Sequence, residues 1–74
     1  MNAREMKKVL DERLVEAKMN FKNACKCFGC SHEITHEKAI QSCALTDIYV
    51  ELFGHVEFEN LMRKHFPEDF RDEE

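Results

Sequence analysis

Apolar side chains recur at helical spacing along the first third of the chain. Met6, Leu10, Leu14, Ala17, Phe21, Ala24, Cys25 and Phe28 fall within an arc of about 100° on a helical wheel. This predicts a long amphipathic helix over residues 3–27. Arg4, Lys7, Lys8, Lys18, Lys22 and Lys26 occupy a second arc beside that stripe, with Val15 and Met19 well off it. Gly29 and Gly54 each follow a phenylalanine at the end of an apolar-periodic run, the expected helix stop.

A second helix is expected from about Thr35 to Phe53. Thr35 is the expected N-cap and Ile34 is set to staple onto Ala39, with a start at Ser31 as the alternative. Between Cys43 and Phe53 only Thr46, Asp47 and Glu51 are polar, so apolar residues point almost all round. Such a helix is expected to be buried on more than one face. A third helix over residues 55–66 carries Phe58, Leu61, Met62, His65 and Phe66 on one side, and Pro67 blocks its continuation. Residues 67–74 form an acidic tail that is expected to fray, with Phe70 the residue able to tuck back. The fold class is therefore all-α: a long N-terminal helix in an antiparallel hairpin with a buried second helix, plus a short third helix. One helical domain covers residues 1–66.

Helix 1 at about 37 Å outruns a second helix of about 27 Å at 1.5 Å per residue. Either helix 3 folds over the uncovered end or a second chain does. With 74 residues the chain is short enough to gain from a partner subunit, and a homodimer is expected. No apolar run approaches membrane-spanning length, and the first residues lack the pattern of a secretory signal. The expected location is the cytoplasm, where cysteines stay as thiols or bind metal.

The formal charge is −4, which argues against non-specific binding to nucleic acid. That total hides an asymmetry. Residues 1–23 carry six basic and four acidic side chains, whereas residues 67–74 carry five acidic and one basic. The basic arc of helix 1 offers a nucleic-acid-binding alternative, or a surface on which the acidic tail pairs within a dimer. The expected interaction residues are Val15, Met19, Lys18 and Lys22.

The only concentrated chemistry is Cys25-Lys-Cys-Phe-Gly-Cys-Ser-His32, followed by His36 and Cys43. A redox dithiol at Cys27 and Cys30 is disfavoured, because a helix C-terminus opposes thiolate formation. Zinc needs four ligand atoms about 2.0–2.3 Å from one ion. Cys27, Cys30, His32 and His36 are the best candidate set, although one residue between the cysteine pair and the first histidine is unusually tight. His36 and Cys43 lie about 10 Å apart along a helix, too far to share an ion. The preferred reading is a packed interhelical corner with Cys25 turned toward the core, no cofactor, and one zinc ion as the alternative. No phosphate-cradling loop, nucleophile–base pair or apolar carboxylate pair is present, so no catalysis is expected. The function expected is that of a small adaptor or regulatory protein acting through helical surfaces.

Overall fold

The computed structural model describes residues 2–73, with side chains through Phe70; the expectations for Met1 and for the end of the acidic tail lie outside the described residues. Three helices follow one another: α1 Ala3–Phe28, α2 Glu33–Phe53 and α3 His55–His65, then a 3-10 segment Pro67–Glu73. No strand occurs among the described residues. α1 and α2 form the long hairpin, and α3 with the 3-10 segment lies across one flank of it.

The helix ends follow from local chemistry. Asn2 caps α1 by accepting the Glu5 N–H at 2.9 Å. Gly29 (φ 87°, ψ 160°) ends α1 and Gly54 (φ 91°, ψ 165°) ends α2. Both lie in a backbone region that is essentially restricted to glycine. A Cβ at either position would meet nothing within 4 Å, so the requirement is conformational and not steric. Each glycine N–H closes the turn onto the carbonyl four residues back, Cys25 at 3.0 Å and Val50 at 2.8 Å.

α2 begins at Glu33, two residues before the expected cap. His32 takes the capping role: its Nδ1 accepts the Ile34 N–H at 3.1 Å, and its ring lies 4.9 Å from that of Phe28. Thr35 is released from capping, sits inside the first turn almost fully buried, and donates its hydroxyl to the Gly29 carbonyl at 2.7 Å. The corner between α1 and α2 is thus tied from both sides.

Leu14, Tyr49, Met62 and Phe66 form the core, flanked by Leu10, Val15, Leu45, Phe53, Phe58, Leu61 and Phe70. One residue comes from α1, one from α2, one from α3 and one from the α3 terminus, so the core exists only when all three helices meet. Tyr49 is 1% exposed. Its ring packs edge-on against Phe53 and Phe58, and its hydroxyl donates to Asp11 Oδ1 at 2.5 Å. Lys7 lies 3.5 Å from both Asp11 and Glu57, and 5.6 Å from the Tyr49 and Phe53 ring centres. α3 therefore covers the N-terminal half of α1. The two ends of the α1 stripe stay open, with Met6 46% and Phe28 51% exposed.

α2 buries Thr35, Ser42 and Tyr49, seven residues apart on one face. Of its other apolar residues, Leu45 and Phe53 flank the core, whereas Ile40, Ile48 and Leu52 are 57%, 48% and 57% exposed. The all-round apolar character read from the sequence thus meets burial on one face only. Among the described residues the Ser42 hydroxyl is buried without a hydrogen-bond partner. Removing an unsatisfied buried hydroxyl relieves a desolvation cost of roughly 1–3 kcal/mol. Ser42→Ala is expected to raise the stability measured by urea unfolding by about 1 kcal/mol; a loss of that size would contradict the packing.

Burial raises the Tyr49 phenol above its ordinary value of 10.0, helped by the hydrogen bond to Asp11. The Tyr49 hydroxyl in turn raises Lys7 above 10.5. Above pH 10 the unfolded chain releases the tyrosine proton before the native chain does, so stability falls as pH rises through that window. The Lys7 contribution, complete below 10.5, is lost in the same direction. Tyr49→Phe should cost about 1–3 kcal/mol at neutral pH and flatten the alkaline decline. An unchanged alkaline slope in urea titrations at successive pH values would count against this account.

Candidate functional site

The position of α3 divides the surface of the hairpin. Lys7, Asp11 and Lys22 face α3 and the 3-10 segment. Arg13, Glu16 and Asn20 lie about 180° around α1 from them at helical spacing. Together with Ala17 these three form one wall of an open hollow of about 350 Å³, closed on the α2 side by Gln41, Ala44 and Leu45. A second hollow of about 250 Å³ continues from Asn20 to Phe28, Ile34 and Lys38. The uncovered flank is therefore a single groove running along the hairpin, with an alanine-rich floor. Exposed apolar side chains border it on the same side of each helix: Val9 on α1, and Ile34, Ile48 and Leu52 on α2.

The residues expected from the sequence to form an interaction surface, Val15, Met19, Lys18 and Lys22, lie on the other side of α1 from this groove. Val15 is half-buried against the core. Lys22 pairs with Glu68 at 3.2 Å and Asp69 at 2.9 Å, and its ammonium lies 4.9 Å from the Phe66 ring centre. Lys18 is half-buried, and Met19 is exposed at 54%. The acidic tail meets the basic arc of its own chain. The hydrogen bond to Asp69 raises Lys22 above its ordinary value, with Glu68 adding to it. Glu68 is held below the carboxylate range by its own backbone N–H and then by Lys22. Phe70 packs at the edge of the core beneath Arg63, 4.5 Å from the ring centre.

The cysteine–histidine segment forms the corner between α1 and α2. Cys27, Cys30, His32 and His36 are all exposed, and among the described residues no three His, Cys, Asp or Glu side chains are placed to hold one ion. His32 has its Nδ1 committed to the α2 cap, and Cys27 lines the groove beside Phe28. What the corner does bring together is Cys25 and Cys30, with Sγ atoms 3.6 Å apart. Desolvation raises the Cys25 thiol above its ordinary value, and the hydrogen bond from Cys30 adds to it. Cys25 is half-buried and does not join the core cluster. Its partner was legible in principle, because the residue after a helix-stop glycine commonly touches the residue five positions earlier.

No family model, curated protein or solved structure matches the chain. Among the described residues, no helix is long and apolar enough to cross a membrane.

Reversing the charge at Lys22 tests how the tail is held. In Lys22→Glu, the Asp69 amide, which donates to the Phe66 carbonyl at 3.1 Å, should exchange with solvent faster. In the unaltered chain the contribution of Glu68 is present above its ordinary 4.5 and fades as pH falls through and below that value. The tail should therefore loosen in acid before the hairpin does. Equal Asp69 exchange in both proteins would show that Phe70 alone holds the segment.

Proposed function

We propose that this chain is a small non-enzymatic interaction protein of the cytoplasm, adaptor or regulatory in kind, that works as a homodimer through the flank of the hairpin opposite α3. One observation carries this reading: the groove that α3 leaves bare has Ile34 in its lining, and exposed Ile48 and Leu52, with Val9 of α1, border it on the same side at helical spacing. An α2 of 21 residues is about 31 Å long, and two helices side by side are about 20 Å wide, giving a face of about 600 Å². A standard interface takes about 800 Å² from each partner, so the flank together with its rim is of the right size.

A second copy suits the rim chemistry. A two-fold axis sets the same surface against itself, and Arg13 and Glu16, one turn apart on the groove wall, can then pair reciprocally across the axis. Two hairpins meeting this way make a four-helix layer with one α3 on each outer side. A nucleic-acid role is less well supported. Lys7 and Lys22 of the basic arc are engaged by Asp11, Glu57, Glu68 and Asp69.

Sedimentation equilibrium at micromolar concentration should give twice the 8.8 kDa of the single chain. Ile48→Glu should return it to the monomer with helicity retained, whereas Met19→Glu should leave the dimer intact. A monomeric parent protein, or a dimer broken by Met19→Glu and not by Ile48→Glu, would overturn the proposal.

A further inference from the structure

The cysteine pair at the α1–α2 corner supports an inference independent of the dimer. We infer that Cys25 and Cys30 are a modification site: a dithiol that hydrogen peroxide or an organic hydroperoxide converts to an intramolecular disulfide across the Gly29 turn. Their Sγ atoms are 3.6 Å apart in the folded chain, against about 2.05 Å in a disulfide. The sulfurs need to close by only about 1.5 Å. The corner is built to allow this. The chain returns at Gly29, whose N–H is bonded to the carbonyl of Cys25 itself, so the residue after the glycine is carried back over the residue five positions earlier.

The two thiols differ in access. Cys30 is exposed and Cys25 half-buried, so the oxidant meets Cys30 first. Once Cys30 has given its proton to solvent, its sulfur attacks one peroxide oxygen, the O–O bond breaks, and the departing hydroxide takes up a proton as water, leaving a sulfenic acid on Cys30. The Cys25 sulfur then attacks the Cys30 sulfur, the S–O bond breaks, and hydroxide leaves with the Cys25 proton as a second water. Two thiols are oxidised by two electrons, and the oxidant is reduced to two waters from hydrogen peroxide or to one alcohol and one water from an organic hydroperoxide. An external dithiol reverses the reaction by exchange. Cys27, the other partner that the sequence spacing offers Cys30, lies on the groove flank, about 200° around α1 from Cys25. Cys43 is exposed on α2 and is not drawn into the pair.

Trypsin distinguishes the possibilities, since cleavage after Lys26 separates Cys25 from Cys27 and Cys30. The reduced full-length chain is treated with one equivalent of hydrogen peroxide, the remaining thiols are alkylated, and the digest is analysed by mass spectrometry without reduction. The expected product is a monomer lighter by two hydrogens, with peptide 23–26 joined to peptide 27–38. Cys27→Ser should preserve this linked pair and its rate of formation within about twofold. Cys25→Ser and Cys30→Ser should each abolish the link and leave a Cys30 or Cys25 product that reacts with a sulfenic-acid or thiol probe. A disulfide confined to peptide 27–38, a cross-link between two chains, loss of the link in Cys27→Ser, or separate peptides after peroxide treatment would each overturn the assignment. Circular dichroism of the reduced variants at matched concentration shows whether each is folded, so a misfolded variant is not counted as a negative.

Discussion

The hydroxyl of Tyr49 on the carboxylate of Asp11 is the contact on which the fold depends. A tyrosine buried as deeply as this one needs a partner for its hydroxyl, or its desolvation offsets the gain from burying the ring. Asp11 supplies the acceptor from α1, and Lys7, one turn earlier, balances the charge while reaching Glu57 on α3. Around this polar knot Leu14, Met62, Phe66, Phe53 and Phe58 complete an apolar shell. All three helices contribute to it, so α3 is fixed to one flank of the hairpin.

That choice of flank has consequences for the rest of the surface. Where α3 and the 3-10 segment lie, Lys22 is neutralised by Glu68 and Asp69 and covers Phe66. On the other side the hairpin keeps a groove whose floor is alanine and leucine and whose rim carries exposed isoleucine, leucine and valine. Contiguous exposed apolar side chains beside a hollow of this kind are what a partner surface can cover. The same asymmetry pairs two residues of the basic arc with carboxylates, Lys7 with Asp11 and Glu57 and Lys22 with Glu68 and Asp69.

Much of the fold was legible because the strongest signals are conformational. Gly29 and Gly54 end helices since their backbone geometry excludes other residues, and the α1 stripe from Leu10 to Ala24 follows directly from spacing. The flank that α3 would choose was not legible. The basic arc with Val15 beside it looked solvated in the sequence, and only the path after Gly54 places α3 and the 3-10 segment against it. Histidine is a weak capping signal, which is why Thr35 drew attention that belonged to His32. The cysteines misled for a related reason. A wheel treats Cys25 as one more core residue, but in the last turn the chain doubles back, and proximity across the stop matters more than angle around the axis.

The central claim is that the flank opposite α3 is where a second copy binds. The most direct measurement is isotope-filtered NMR on a mixture of labelled and unlabelled chains, reading contacts between molecules from isoleucine methyl groups. The account predicts cross-chain signals from Ile34 and Ile48 to groove residues such as Ala17 and Ala44. Cross-chain signals that instead connect Met19 or Val56, or none at a concentration where two chains sediment together, would contradict it.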